Sequence, residues 1–343
     1  MRLSDRAYIA FEIGPSVAGL ESGLALTRAA AEAGADAIKY QILDAATLVG
    51  RDVPVTFGTL DGGTMTRSMR EILDRRALRN FEWYEMAQAA RAHGLDVIAT
   101  VDGAATLKLA VDLAADAIKV CSGDVTHLDW IREVAATGRP VMLDTGAAGL
   151  GEIERAVDAI GATPGAHPWI FVVHCPSGYP ARAESINLRM LATLHQAFGN
   201  DAIIGFSDHS PDADMDIAAI ALGACYIEKT LCLDRSAPWP EHTMAVEPAE
   251  AATFVRRLRE AETAMGAARR VLTAAEQAAK GNARRSAFAL RDLAAGSGVP
   301  ASAIEWRRPA AGGIEPSAWG QYEGIRLRRP VAEGEQITRE DFA

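Results

Sequence analysis

Two lysines interrupt short apolar stretches of the chain, Lys39 in AIKY and Lys119 in AIKV. Burying an ammonium group without a counter-charge costs several kcal/mol, so each lysine needs an anionic partner. That partner could be a carboxylate of the chain or an anionic ligand. Ser122 and Ser207 stand at the ends of similar stretches and can donate hydrogen bonds. Together these residues predict a site for a phosphate or a carboxylate.

Further polar residues end other apolar stretches in the same way. They are Glu12, Gln41, Thr100, Asp124, Asp144, Ser177, Tyr179, His209, Glu228 and Lys229. Each is a weak signal alone, because a single lysine or histidine is commonly a surface charge or a structural residue. As a set they predict a functional site, provided that the fold directs them toward one axis.

The elements that must position these residues alternate along the chain from Ala7 to about Glu250. Eight β-rich apolar stretches read AYIAFEIG, DAIKYQ, LDVIAT, DAIKVCS, PVMLDTG, WIFVVHC, AIIGFSDH and CYIEKT. Segments with helical spacing separate them, and several end in a glycine typical of a helix C-terminus. Eight βα units predict an α/β fold, a (β/α)8 TIM barrel, with a doubly wound open sheet as the alternative. In a TIM barrel the carboxyl ends of the strands build the active site.

Domain boundaries follow from shifts in composition. We predict a barrel domain over residues 1–262, a helical linker over 263–282, and a small, mainly β domain over 283–343. Residues 51–80 form a longer insertion between a strand and its helix, on the face where barrel loops build sites.

Bulk properties exclude several classes of protein. The net charge of −10 argues against nucleic acid as a main partner. No apolar run approaches the roughly 20 residues needed to cross a bilayer, and the first residues resemble a strand more than a signal peptide. The four cysteines lack zinc-like or CxxC spacing and are predicted to be buried free thiols in a reducing cytoplasm.

The chain resembles the N-acetylneuraminate (sialic acid) synthase family over nearly its whole length. The C-terminal part, with WRRPAAGGIEP and GEQITREDF, is similar to the antifreeze-like (SAF) domain of that family. The matching strings of the barrel are EIG, AGADAIKYQ, AIKVCSGD, GRPVMLDTG, HCPSGYP, GFSDHS, LGACYIEKT and PEH.

The resemblance implies a synthase that condenses phosphoenolpyruvate with an N-acylated aminosugar in its aldehyde form and releases phosphate. It implies a divalent metal, Mn²⁺ or Mg²⁺, with His209 as a ligand, and a domain-swapped homodimer in which Arg308 reaches the partner's sugar. Catalytic roles fall to Glu12, Asp124, Tyr179 and Glu228. Substrate binding falls to Lys39, Gln41, Thr100, Lys119, Ser122, Asp144, Ser177, Ser207, Lys229 and Arg308.

The sequence departs from the family at two consequential positions. Thr230 stands where the family has a second metal-binding histidine, which puts the metal in doubt and leaves Glu241 or His242 as substitute ligands. Asp144 replaces a serine of the phosphate pocket, where a carboxylate repels phosphate. Asp144 could pair with Lys119, take over a metal role, or indicate a different donor.

Three functions therefore stand as hypotheses. The first is a carbon–carbon bond-forming synthase that uses phosphoenolpyruvate and a sugar-derived aldehyde. The second is a lyase or aldolase with a different donor on the same scaffold. The third is a sugar-binding homologue that has lost catalysis. The two lysines in apolar strands favour the first, because a relic has no reason to keep them.

Overall fold

Eight parallel strands close into a barrel, as the alternating pattern predicts. The structure is a computed structural model, and it describes residues 6–343. The chain divides into two compact units after Gly266. Among the described residues, no helix is both long and apolar enough to cross a membrane.

The strands of the first unit run from Tyr8 to Thr230. They are β1 (Tyr8–Glu12), β2 (Ala37–Ile42), β3 (Pro54–Gly58), β4 (Thr64–Ser68), β5 (Asp96–Val101), β6 (Ala117–Val120), β7 (Val141–Asp144), β8 (Ile170–His174), β9 (Ile203–Asp208) and β10 (Tyr226–Thr230). The barrel order is β1-β10-β9-β8-β7-β6-β5-β2, so β1 closes the ring by pairing with both β2 and β10. The strands β3 and β4 form a separate antiparallel hairpin.

Helices connect the strands and cover the barrel. They are α1 (Leu20–Glu32), α2 (Ala45–Leu48), α3 (Met69–Arg76), α4 (Asn80–Ala92), α5 (Ala104–Asp112), α6 (Leu128–Ala135), α7 (Leu150–Gly161), α8 (Ala183–Ile186), α9 (Met190–Phe198), α10 (Asp214–Ala221) and α11 (Pro248–Met265). Each longer helix buries an apolar stripe. In α6, for example, Trp130, Ile131, Val134 and Ala135 are buried at the spacing of one helix face.

The interior of the barrel explains where the polar residues go. Successive side chains of a strand point to opposite faces, so every second residue faces the axis. An apolar layer fills the barrel from Tyr8, Ala10, Ala37, Ile98, Ala117, Met142, Phe171, Val173 and Tyr226. Three polar residues each follow a member of this layer by two positions along a strand: Lys39, Lys119 and Asp144. The strands therefore lift these polar side chains above a closed apolar floor.

The insertion after β2 packs against a loop of the carboxyl face. Trp239 lies between two guanidinium groups, with Arg67 at 4.2 Å and Arg75 at 4.3 Å from the ring centroid. Arg67 also donates to the Pro238 carbonyl at 3.0 Å. These cation–π contacts join the hairpin and α3 to the loop that carries Glu241.

The second unit is small and mainly β, as predicted. It contains α12 (Ala274–Ala283) and an antiparallel pair, β11 (Ser286–Ala289) and β12 (Ile304–Arg307). Isolated bridges join the remaining segments. Its core is built around Trp319, whose ring meets Trp306 and Phe342 edge-on.

Candidate active site

A cavity of about 110 Å³ lies at the carboxyl end of the barrel. Its lining residues are Glu12, Lys39, Gln41, Thr100, Cys121, Ser122, Asp144, Cys175, Tyr179, Ser207, His209, Glu228 and Glu241. A larger surface cleft of about 670 Å³ lies beside α7 and α9, but none of the described residues that line it is a lysine or an arginine. The barrel cavity is therefore the candidate site for an anionic substrate.

Glu228 is the centre of the charge network. Lys39 donates to it at 2.7 Å, and Lys119 donates to both of its oxygens at 2.8 Å. The hydroxyls of Tyr226 and Ser207 add donors at 2.6 and 3.0 Å. Burial would raise the pKa of Glu228, but the two ammonium groups outweigh burial and hold that pKa well below its usual range. Glu228 is a fixed anion that keeps both lysines charged.

Glu12 pairs with Lys39 from the neighbouring strand, where the two residues lie opposite each other in the β1–β2 register. The backbone N–H of Gly14 donates to one oxygen of Glu12 at 2.6 Å, and Gln41 donates to the other at 3.3 Å. Burial raises the pKa of Glu12, although Lys39 opposes this shift. Both carboxylate oxygens of Glu12 therefore have donors.

Asp144 pairs with Lys119, which realises one of the three alternatives left open by the sequence. The distance from its Oδ2 to the ammonium nitrogen is 2.9 Å. Its other oxygen, Oδ1, is buried and has no hydrogen-bond partner within residues 6–343, and the same is true of the Thr100 hydroxyl. Burial raises the pKa of Asp144, with Lys119 acting in the opposite direction. Two cavity-lining residues thus carry polar atoms without partners.

A guanidinium lies behind one wall of the cavity. Arg76, at the end of α3, is 8% exposed and donates to the Gln41 side-chain oxygen at 3.1 Å. It also lies 3.8 Å from a carboxylate oxygen of Glu241. Burial raises the pKa of Glu241 to about 7, and Arg76 opposes that shift. The insertion after β2 therefore contributes a cation next to the barrel site.

His209 forms another part of the wall and stacks near Tyr179, with 4.8 Å between ring centroids. Its Nδ1 lies 3.0 Å from the Pro176 carbonyl. Since a carbonyl oxygen only accepts, this contact assigns the proton to Nδ1 and leaves Nε2 as an acceptor. Burial lowers the pKa of His209 to about 4, so the imidazole is neutral near pH 7.

The donor set for a divalent metal is incomplete. Within residues 6–343, no three His, Cys, Asp or Glu side chains are grouped as metal ligands. Thr230 is buried at the end of β10. The buried Nε2 of His242 lacks a partner, but His242 does not line the cavity. His209 with Glu241, which faces Arg76, is a poor site for Mn²⁺ or Mg²⁺. These residues do not fit a resident metal.

Lys229 corrects one prediction. Its side chain is fully buried and points away from the cavity, because Glu228 beside it points inward. It pairs with Asp208 and donates to the carbonyls of Ser210 and Asp212 at 2.5 and 2.7 Å. All its donors are engaged within the protein, so it is not available to a substrate.

Among the described residues of the first unit, three other predicted residues are not part of the cavity lining: Lys119, Asp124 and Ser177. Lys119 nevertheless contacts two residues of that lining, Glu228 and Asp144. Asp124 lies in a short 3-10 turn after β6, with His127 and Asp102 as charged neighbours. Ser177 is exposed and donates to the Gly146 carbonyl at 3.1 Å. Arg308 belongs to the second unit, just after β12. The catalytic role of Asp124 and the substrate-binding roles of Ser177 and Arg308 stay predictions.

Some residues at the site were missed at the sequence level. Cys121 and Cys175 line the cavity, and the period-2 pattern could have found Cys175, two residues beyond the interior Val173. All four cysteines are free, as predicted, but Cys225 is exposed instead of buried. Arg76 carried no comparable signal, because its approach depends on how the insertion folds back.

Known proteins match this chain over both units. The NeuB family matches residues 26–270, and the SAF domain matches residues 284–343. The N,N'-diacetyllegionaminic acid synthase of Legionella pneumophila is 28% identical over 95% of this chain and 92% of its own length. A pseudaminic acid synthase of Campylobacter jejuni is 26% identical over 98% of this chain and 97% of its own length.

A solved structure has the same architecture. The spore coat polysaccharide biosynthesis protein SpsE of Bacillus subtilis superposes with a TM-score of 0.64 at 26% identity. The match covers 98% of this chain and 95% of that protein.

Proposed function

The chain belongs to the NeuB family, and we propose that it is a synthase that condenses phosphoenolpyruvate with a sugar-derived aldehyde. The product is a nonulosonic-acid-type sugar acid, and phosphate is released. The observation that carries this proposal is a pair of buried ammonium groups that share Glu228. Lys39 lines the cavity, and Lys119 contacts two carboxylates of its lining, Glu228 and Asp144. Their positive charge suits a donor that carries both a carboxylate and a phosphoryl group.

The reaction forms one carbon–carbon bond and replaces the bond from carbon 2 to the phosphate oxygen by a bond to a water oxygen. The proton lost by the water balances the proton taken up by the aldehyde oxygen. Carbon 3 of the donor attacks the aldehyde carbon, and the aldehyde oxygen takes a proton. Water adds to carbon 2, and the bond from carbon 2 to the phosphate oxygen breaks. In this proposal Lys39 and Lys119 hold the donor, Ser122, Thr100 and Ser207 provide hydroxyl donors, and Glu228 keeps the lysines in place.

The acceptor side of the site is proposed to lie near Tyr179, His209 and Glu12. Neutral His209 offers its Nε2 as a hydrogen-bond acceptor, which suits a sugar hydroxyl. Glu12 lies next to Gln41 and the Lys39 ammonium, where a carboxyl group can exchange protons with the reacting atoms. No step is assigned to a metal.

A second candidate function is favoured by one observation. Asp144 forms an ion pair with Lys119 at 2.9 Å, which weakens that lysine as a phosphate ligand. A lyase or aldolase whose donor lacks phosphate would avoid the repulsion. Release of inorganic phosphate separates the two functions, because only the synthase releases it.

The arrangement of subunits is also part of the proposal. We propose a domain-swapped homodimer in which Arg308 of one subunit contacts the acceptor bound by the other, in the cytoplasm. The SAF domain match and the small β unit support the presence of the domain that would swap.

The test compares donor binding and turnover in matched variants. Phosphoenolpyruvate at about 100 times its Kd should stabilise the folded protein by about 2.7 kcal/mol. Lys39→Met should lose this stabilisation, whereas Lys108→Met should keep it, since Lys108 is an exposed helix residue paired with Asp112. Absence of stabilisation and of phosphate release with every acceptor would refute the synthase.

A further inference from the structure

The charges around the cavity are poorly matched to an anionic donor. Two ammonium groups, of Lys39 and Lys119, face the three carboxylates of Glu12, Asp144 and Glu228. Arg76 and Glu241 beside them offset each other. A donor with a carboxylate and a phosphoryl group adds more negative charge to a site that already has an excess. At least one carboxylate must therefore take up a proton or move away when the donor binds.

The hydrogen bonds of the three carboxylates indicate which of them takes up the proton. Glu228 accepts three hydrogen bonds on Oε1 and two on Oε2, so a proton on either oxygen would compete with at least two donors. Glu12 has donors on both oxygens. Asp144 alone of the three has an oxygen, Oδ1, that is buried without any partner. A proton on that oxygen disrupts nothing and creates a donor.

We propose that Asp144 binds the phosphoryl group as a neutral carboxylic acid, so that the donor binds together with one proton. This inference rests on the proposed function, since it concerns the phosphoryl group of the same donor. Protonation converts the repelling Oδ1 into a hydrogen-bond donor and frees Lys119 from its ion pair. Asp144 thereby provides the hydrogen-bond donor that a serine hydroxyl provides in the family, and it makes donor binding depend on pH.

The groups that face Asp144 support this assignment. The charged neighbours are Lys119 from β6, Glu228 from β10 and Lys39 from β2. The remaining titratable neighbours are two tyrosines and two thiols. The Glu241 charge raises the pKa of Tyr179, and burial raises that of Tyr226 well above its usual value, so both phenols are neutral. The thiols are Cys121 after β6 and Cys175 after β8. Burial raises the pKa of Cys121 to about 12 and that of Cys175 well above its usual value, so both are neutral. Among these groups that face Asp144, only the carboxyl groups are left to take up the proton.

The direction of the pH dependence follows from the shifts. Burial already raises the pKa of Asp144 in the free protein, despite Lys119, and a bound phosphoryl group raises it further. At a pH between the pKa of Asp144 in the free protein and its pKa in the complex, the protein takes up one proton with each donor molecule. The Kd for phosphoenolpyruvate then increases up to tenfold for each unit rise in pH, since one proton is coupled to binding.

Calorimetric titration with phosphoenolpyruvate tests the proposal on the full-length chain. Binding is measured between pH 7 and 8.5 in two buffers with different ionisation enthalpies, for wild type, Asp144→Asn and Asp144→Ser. We expect net proton uptake and a Kd that rises with pH for wild type, and little uptake and a nearly constant Kd in both variants. Asp144→Asn keeps the size of the side chain, and the two variants together guard against a misfolded one.

Each outcome has a defined meaning. Binding by wild type without proton uptake would overturn the role of Asp144 and leave the synthase intact. Uptake that persists in Asp144→Asn would overturn it too, because the proton would then lie on Glu12 or on the donor. Binding by Asp144→Ser but not by wild type would show that the carboxylate stays charged. No binding by any of the three proteins would refute the proposed function itself.

Discussion

Replacement of Lys229 by methionine is expected to destabilise the barrel without removing a substrate contact. Its ammonium group is fully buried and pairs with Asp208, with Asp216 at 3.6 Å. It also holds two carbonyls of the loop after β9. Burial raises the pKa of Asp216 well above its usual value, although Lys229 opposes this shift. The methionine variant leaves Asp208 as a buried anion without its cation.

The magnitude follows from the loss of one partner of a buried ion pair. Such a loss costs about 3–5 kcal/mol. At about 2–3 °C for each kcal/mol in a domain of this size, Tm should fall by about 6–15 °C. Differential scanning calorimetry measures Tm, and calorimetric titration at a temperature well below Tm measures donor binding. We expect the donor affinity of the folded variant to stay within about threefold of that of wild type. This corresponds to a change of less than ~0.7 kcal/mol in the binding free energy.

Two controls separate burial from charge alone. Lys108→Met removes an exposed lysine from an i,i+4 pair at 2.5 Å and should change stability by less than about 0.5 kcal/mol. The double variant Lys229→Met/Asp208→Asn removes both charges and should recover part of the lost Tm. A Tm within 2 °C of wild type, combined with a large loss of donor affinity, would refute the structural role of Lys229.

Three further predictions concern the cavity and the second unit. Glu228→Gln should lower kcat/KM for phosphate release by at least about a hundredfold, because both lysines lose their shared anion; wild-type rates would contradict the network. Mn²⁺ should raise Tm of Thr230→His more than that of wild type, since an added imidazole strengthens an incomplete donor set; equal shifts in thermal melts would oppose this. Arg308→Ala and Lys39→Met should each be inactive. When the two variants are refolded together, phosphate release should return, because a swapped dimer has one site with Lys39 from one subunit and Arg308 from the other. An inactive mixture would argue against swapping.

Much of the barrel was predictable because its signals are local. The eight apolar stretches fix the strands, and alternation fixes which side chains face the axis. Lys39, Lys119, Asp144 and Glu228 were predicted as polar residues in or at the ends of apolar strands. Three of them line one cavity, and Lys119 pairs with two of those three. Lys229 was predicted together with Glu228 as a polar residue at the same strand end, but alternation places adjacent side chains on opposite faces and only Glu228 lines the cavity.

Other features depend on contacts between distant parts of the chain. Arg76 reaches the site because the insertion turns back over the barrel, where Trp239 receives Arg67 and Arg75. Nothing in the spacing of residues 51–80 encodes that approach. The choice among three roles for Asp144 also required coordinates, since pairing with Lys119 depends on the register of β6 and β7.

The most direct test of the account is release of inorganic phosphate from phosphoenolpyruvate across a panel of N-acyl aminosugars and plain aldoses. Phosphate and the condensed sugar acid are measured together, with and without added Mn²⁺. The account predicts that at least one aldehyde sugar gives equal amounts of phosphate and product, and that Lys39→Met gives neither. No phosphate release with any sugar, or condensation without phosphate release, would contradict it.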